Sequence, residues 1–470
     1  MLKQTDEMNN PLGTEPIGKL IGRFAIPCVI SLLVNSLYNI VDQIFIGRGV
    51  GYLGNGATNV VFPITIITLA IALLIGDGGA AYLSLKQGEG RREEANHGIG
   101  NAIILAVCSG IILLAVSFLF LKPLLYLFGC TDVLYPYANE YGRVIVIGIP
   151  FVVFSTALNS IIRADGSPQY AMGSMILGAL INTILDPVFI FVFGWGVGGA
   201  ALATIMGQIA SCLFSVLYLR KFRTVSIQKE HLKLKLSYTR AVASLGVSSF
   251  ITQAAVVVVM AVTNNLLGRY GAQSVYGAEI PITAMGIVMK VNQIMISIIV
   301  GIAAGAQPII GFNYGAGNTA RVKKTLKWTI LSATIVAALF FVLFQFFTQS
   351  VINLFGSEEG LYNEFAAKCF KIFLMTCILN GFQTVASIFM QAIGKPVQSA
   401  ILSLSRQIII LVPAAILLSH LLGVEGVLWS GPAADTIAFI LAATFLTMEM
   451  KLTVKARERQ PVAGRSRSVC

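Results

Sequence analysis

Charge is what this chain has least of. Only 11% of its 470 residues are charged, against 56% hydrophobic, and acidic residues number 21. A soluble protein of this length needs far more charge to cover its surface, so a water-soluble globule is excluded. Histidine is rarer still, at His97, His231 and His420, and the seven cysteines (Cys28, Cys108, Cys130, Cys212, Cys369, Cys377 and Cys470) show no close CxxC spacing. No metal cluster is legible in that pattern. A Walker sequence, a nucleophile elbow and an H-E-x-x-H run are missing too, which leaves an ATP-driven pump or a membrane hydrolase without its parts. The chain therefore reads as a non-enzyme without a cofactor. Gly88-Glu89-Gly90 and Gly315-Ala316-Gly317 follow no strand and lack the Lys-Ser/Thr of a phosphate cradle, so they read as turns. The polar start, 1–19, carries Pro11 and Pro16 and no secretory cleavage pattern, so the first apolar run is expected to stay as an anchor.

What is abundant is apolar sequence in long runs, at a mean hydropathy of +0.80. A helical span needs about 20 mostly apolar residues. Twelve such runs fall between residues 20 and 449, the tenth at 363–392 and the eleventh at 398–419. Long runs rich in glycine, without ten-residue alternation, predict a helical bundle and not a barrel. The fold class is an all-α polytopic membrane protein. With the amino terminus inside, 25 of the 33 Lys and Arg fall on cytoplasmic segments. That bias predicts both termini in the cytoplasm of a multi-pass cytoplasmic membrane protein. It also accounts for the net charge of +12. The basic faces are expected to meet anionic lipid rather than nucleic acid.

The chain repeats itself. Gly47-Arg48 returns as Gly268-Arg269, 221 residues later, and Gly88-Glu89-Gly90 as Gly315-Ala316-Gly317, 227 later. Gly166-Ser167-Pro168 returns as Gly394-Lys395-Pro396, 228 later, and Gly196-Val197-Gly198-Gly199 as Gly423-Val424-Glu425-Gly426, 227 later. Each repeat carries six runs, so the halves share an orientation and are related by an axis along the membrane normal. The expected organisation is a segment at 1–19, an amino-terminal lobe at 20–220, a basic linker at 221–240, a carboxy-terminal lobe at 241–449 and a basic tail at 450–470. Two like-oriented bundles around a cleft suit alternating access; a channel would need a polar face that no run displays.

Two carboxylates, Asp42 and Asp186, lie inside the apolar runs 20–47 and 170–194. Intramembrane acids usually face a cavity and mark an ion path. Asp42 stands five residues before Gly47, Asp186 eight before Gly194, and Thr204 six into its run. At about 1.5 Å of rise per residue all three sit roughly 8 to 12 Å below the external interface. Tyr38 and Asn182 each precede an acid by four residues, one turn away on the same face. Two close carboxylates in apolar surroundings cannot both ionise cheaply, so they can exchange a proton. Oxygen ligands equally suit sodium, with Asp42 and Asp186 as its anchors. Proton and sodium both stay open. At the repeat offset Asp42 falls on Thr263 and Asp186 near Pro413, so only the first half keeps the acids.

Taken in order, Ile26-Pro27, the Tyr38 to Asp42 stretch, Gln87-Gly88-Glu89-Gly90-Arg91-Arg92-Glu93-Glu94-Ala95, Arg163-Ala164-Asp165-Gly166-Ser167-Pro168 and Asn182-x-x-x-Asp186-Pro187 resemble one family. Over residues 15–450 the chain is similar to the multidrug and toxic compound extrusion (MATE) transporters. The resemblance implies a cation site at Tyr38, Asp42, Asn182, Asp186 and Thr204, as in prokaryotic branches with an amino-lobe site. It further implies efflux of amphipathic, often cationic drugs or toxic compounds, coupled to proton or sodium influx; the chain is expected to act as a monomer. The family bends its first span at the position of Pro27, where a missing N–H permits a kink; a static kink is the alternative. Branches with acids in the span matching 241–267 differ, since Gln253 and Asn264 stand there. A flippase for lipid-linked intermediates shares this architecture and is the alternative that a strongly cationic cavity would favour; the scarcity of basic residues placed to line one speaks against it.

Other intramembrane groups are weighed singly. Glu279, near an external end, is a minor candidate that can simply face water. Lys290 and Asp435 reach similar depths of roughly 15 to 20 Å, so an ion pair between them is expected to neutralise the lysine, with snorkelling or an Arg406 partner as the alternatives. Asp77, amid Gly76, Gly78 and Gly79, serves packing or gating. Met260, Met285, Met289 and Met295 offer a forgiving pocket or ordinary core.

Overall fold

The computed structural model describes residues 10–277, 279–353 and 360–458, so the far part of the expected basic tail and the first nine residues lie outside it. Every regular element among them is helical. Twelve spans emerge: α1 (Ile17–Gly49), α2 (Tyr52–Gly88), α3 (Arg92–Leu119), α4 (Tyr135–Ala164), α5 (Pro168–Pro187) and α6 (Gly196–Tyr218) in the first half. The second half holds α7 (Leu236–Gly271), α8 (Glu279–Gly315), α9 (Thr319–Phe346), α10 (Leu361–Phe373 with Cys377–Ala392), α11 (Pro396–Leu404 through Val412–Leu422) and α12 (Val424–Glu458).

The repeat is visible in the helices themselves. α2 and α8 are each 37 residues long, and α3 and α9 are each 28. The Gly-x-Pro motifs do the same work twice: Gly166 (φ 90°) and Gly394 (φ 79°) end α4 and α10 in a left-handed conformation, and Pro168 and Pro396 open the next helix. Glycine takes that conformation without a Cβ clash, and proline at a first turn forfeits only an N–H that had no partner. The fifth span of each half also carries a π-helical stretch, Val188–Val192 and Ser405–Leu411. The halves differ at their fourth spans. α4 is one helix, whereas α10, expected as a single run, breaks after Phe373 and bends by 48°.

The apolar core forms three clusters, one through α1–α6 with the start of α7, one through α7–α12, and a smaller one that joins the start of α1 to Ile309 and Phe312 of α8. The first and last described helical residues lie on one face, which we call the terminal face. The linker is strapped there to the first half. The buried Asp165 carboxylate accepts from Tyr218 Oη at 2.7 Å, Arg223 N at 2.8 Å and Thr224 N at 2.9 Å. Asn101 accepts from Lys235 N at 2.7 Å and donates to Lys233 O at 3.2 Å. The Arg-Ala-Asp-Gly-Ser-Pro motif thus holds the linker as well as turning the chain.

The halves meet toward the terminal face. A Cβ on Gly246 of α7 would collide with Leu74 O of α2, and one on Gly301 of α8 would lie 2.7 Å from Val29 Cα of α1. Backbone contact this close requires glycine. At mid-depth, Ser36 Oγ and Ser297 Oγ lie 2.9 Å apart, joining α1 to α8. Beyond them α8 turns a free face outward: Thr283, Lys290 and Gln293 are exposed, and a Cβ on Gly286 would meet nothing within 4 Å. The halves are therefore closed on the terminal face and parted by a cleft at the other.

Candidate functional site

Three first-half helices build the acidic site. α1 carries Asp42 and Tyr38, α5 carries Asn182 and Asp186, and α6 carries Thr204. α5 and α6 approach closely because Gly178 and Gly207 face each other; a Cβ on Gly178 would lie 2.9 Å from Gly207 O. One turn along, that closeness lets Asn182 Nδ2 donate to Thr204 Oγ1 at 3.2 Å and to Asp186 Oδ1 at 3.2 Å. Asp42 and Asp186 stand carboxyl against carboxyl, with Tyr38 beside them. All five residues singled out in the sequence are brought together.

Burial is nearly complete, at 0% exposure for Asp186, 2% for Asn182 and 8% for Asp42. Yet Asp42 Oδ1, Asp186 Oδ2 and Asn182 Oδ1 have no hydrogen-bond partner. Three buried acceptor oxygens without donors are costly, and what satisfies them is a proton on a carboxyl or a small hard cation between them. The donor set fits either. Behind Asp186 the helix is irregular: Pro187 removes a backbone donor and Val188–Val192 is π-helical, a distortion frequent at functional sites. Tyr141 of α4, only 8% exposed, also lies within electrostatic reach of both acids. The sequence reading missed it. Applying the same depth count to α4 would have found it, since it stands six residues from Tyr135.

Elsewhere the structure sorts the remaining candidates. Pro27 is buried in an unbroken α1, and Ser31 Oγ donates to its carbonyl at 2.7 Å. Asp77 joins the halves: its Oδ1 accepts from Ser160 at 2.8 Å and lies 3.8 Å from Arg163, and its Oδ2 accepts from Ser249 of α7 at 2.9 Å. Gln253 and Asn264 are half-buried on α7, and Glu279 is exposed in the first turn of α8. None of these three joins the acid pair. Met285 and Met295 are core residues at 1% and 0% exposure, whereas Met260 is half exposed.

The expected Lys290–Asp435 pair is corrected. Asp435 Oδ1 takes Arg406 Nε at 2.8 Å and its Oδ2 takes Thr376 Oγ1 at 3.1 Å. Thr376 lies in the break of α10 and Arg406 in the π-helical stretch of α11, so the pair pins two irregular segments together. Bidentate-capable arginine suits that buried partner better than lysine. Among the described residues Lys290 makes no ion pair.

The fold also gathers a constellation that spacing could not show, Glu93, His97 and His231, with ligand atoms within 4.8 Å of one another. Gln228 N donates to His231 Nδ1 at 2.9 Å, so the ring proton sits on Nε2, which donates to Glu93 Oε1 at 2.8 Å. A metal on Nε2 would need that proton moved to Nδ1, against the Gln228 N–H. The cluster works as a hydrogen-bonded fastening of the linker to α3.

Comparison with known proteins agrees with this architecture. The MatE family model matches residues 27–188 and 248–417. The multidrug export protein MepA of Staphylococcus haemolyticus is 27% identical over 444 residues, covering 93% of this chain and 95% of that one. MepA of Staphylococcus aureus strain MRSA252 is 25% identical over 445 residues, covering 94% and 96%. Among solved structures, a MATE protein in the straight conformation superposes with a TM-score of 0.88 at 24% identity, over 95% of this chain and 98% of that one. An outward-facing multidrug resistance MATE transporter gives 0.87 at 24%, over 93% and 97%.

Proposed function

This chain belongs to the MatE family, and from that premise we propose that it is a secondary multidrug antiporter of the cytoplasmic membrane. It exports amphipathic compounds, many of them cationic, in exchange for protons or sodium ions. The bias of basic residues supports placing the terminal face in the cytoplasm, which makes the described conformation outward-open. The curated relatives named above are multidrug export proteins, which supports the substrate class.

One observation carries the coupling: where Asp42 meets Asp186, a buried oxygen of each carboxylate has no hydrogen-bond partner. A cation entering from the open cleft satisfies them and removes the repulsion between the carboxylates. α1 transmits the event. The same continuous helix holds Asp42 near its outer end and the inter-half contacts Val29 and Ser36 farther in. A shift of α1 on cation binding changes the seam along which the halves are closed, which is how occupancy of one site biases the two-state rocking of the bundles.

The test is reconstitution of wild type, Asp42→Asn and Asp186→Asn in sealed vesicles, with a pH gradient or a sodium gradient imposed separately. Wild type drives ethidium uphill under one gradient, and each variant loses at least about tenfold of that uphill rate, the worth of one ionic interaction. Either variant pumping as well as wild type would remove the acid pair from the coupling.

A further inference from the structure

Lys290 is the one intramembrane cation that the sequence reading expected to be neutralised and the structure leaves free. It forms no hydrogen bond or ion pair among the described residues, and Arg406 has taken the carboxylate assigned to it. Its direction follows from register. Ser297 of α8 touches Ser36 of α1, and Gly301 closes on Val29. Lys290 precedes Ser297 by seven residues and Gly301 by eleven, so at 3.6 residues per turn it lies within about 20° of both. It therefore faces α1 across the cleft and not the lipid.

Its depth follows as well. On the antiparallel α1, Gln43 lies seven residues beyond Ser36 toward the open face, as Lys290 lies seven beyond Ser297. Both stand roughly 10 Å above that contact. Gln43 is thus the residue opposite the lysine, and Asp42, one position round the helix, is buried behind it with Asp186. Glu279 shares the face of Lys290 but is eleven residues away, roughly 16 Å along the helix and out of pairing range. The cleft has a free cation on its second-half wall and an acid pair behind its first-half wall, at one depth.

We propose that Lys290 is a specificity-determining residue that binds an acidic group of the transported compound, so that the cleft selects zwitterions and carboxylate-bearing amphiphiles over pure cations. The inference rests on the efflux reading of the same cleft. An ammonium between low-dielectric walls repels a purely cationic ligand and concentrates an anionic group beside it. A zwitterion meets both demands, turning its cationic end to the acids and its carboxylate to the lysine. Selectivity then comes from the repulsive element as much as the attractive one.

Rhodamine B, a zwitterion at neutral pH, and its ethyl ester, a cation on the same ring system, form a matched pair. Their binding to the purified full chain in lipid nanodiscs is read by fluorescence anisotropy for wild type, Lys290→Gln, Lys290→Arg and Lys290→Glu. The affinity ratio of acid to ester falls about tenfold in Lys290→Gln, the worth of one charge-assisted contact, falls further in Lys290→Glu, and is kept in Lys290→Arg. A loss of folding would weaken both dyes together and leave the ratio where it was. An unchanged ratio in the Gln and Glu variants, or no binding of rhodamine B by wild type, overturns the assignment. Uphill efflux of both dyes from vesicles is scored separately: a ratio that shifts without efflux of either dye sinks the export reading and leaves the lysine's role standing.

Discussion

Buried carboxylates in this protein are handled in two opposite ways. Asp435, 3% exposed, is closed by Arg406 and Thr376, whereas Asp42 and Asp186 face each other with oxygens left over. The first arrangement holds structure, and the second is the one proposed to take up a cation. Arg406→Met should therefore lower the unfolding free energy by about 3 kcal/mol, because it strands a buried charge, and Arg406→Met with Asp435→Leu should recover most of the loss. Thermal unfolding in detergent reads both, and equal stability of single and double variants would contradict the assignment. Asp42→Asn points the other way. It removes a repulsive, desolvated charge, so it should raise the midpoint of unfolding while abolishing coupling, the trade expected where a site is kept strained for function.

At the scale of elements, irregularity is concentrated where polar groups gather. The π-helical stretch of α5 follows Asp186-Pro187, that of α11 contains Arg406, and the break of α10 supplies Thr376. Distorted turns re-aim side chains and free backbone groups, which a bundle tolerates where neighbouring helices can satisfy them. α1 stays one continuous helix through Pro27, whose missing N–H takes one bond out of its backbone ladder. Pro27→Ala restores the missing donor and stiffens the helix. Uphill efflux should fall in that variant while thermal stability rises. Undiminished efflux would mean that α1 need not bend at that residue.

For the whole molecule, the proposed rocking turns on the seam between the halves. Ser36 and Ser297 sit at its upper edge with their oxygens 2.9 Å apart, a separation that two cysteine sulfurs can bridge with little movement. Oxidation of the Ser36→Cys, Ser297→Cys double variant should lock the protein outward-open and stop efflux, and reductant should restore it. Continued transport by the cross-linked protein would show that the halves do not part at this seam. Below it, Gly246 against Leu74 and Gly301 against Val29 leave no room for a side chain, so the closed face is fixed by backbone contact.

The sequence alone determined everything that depends on local composition and on repetition. Twelve apolar runs, paired Gly-x-Pro turns and a doubled motif order settle the class and the two bundles, because a span must satisfy its own backbone and a repeated sequence folds twice alike. It also reached the acid site, since charge in apolar sequence is conspicuous and depth can be counted along a helix. Tertiary structure decided whatever depends on the angle between helices. Depth placed Lys290 level with Asp435, but rotation about the axis gave that carboxylate to Arg406 and turned the lysine to the cleft. His97 and His231 are 134 residues apart in the chain, and only the fold of the linker brings their rings to 4.7 Å. Depth is written along one helix; partnership is written between helices, and only packing supplies it.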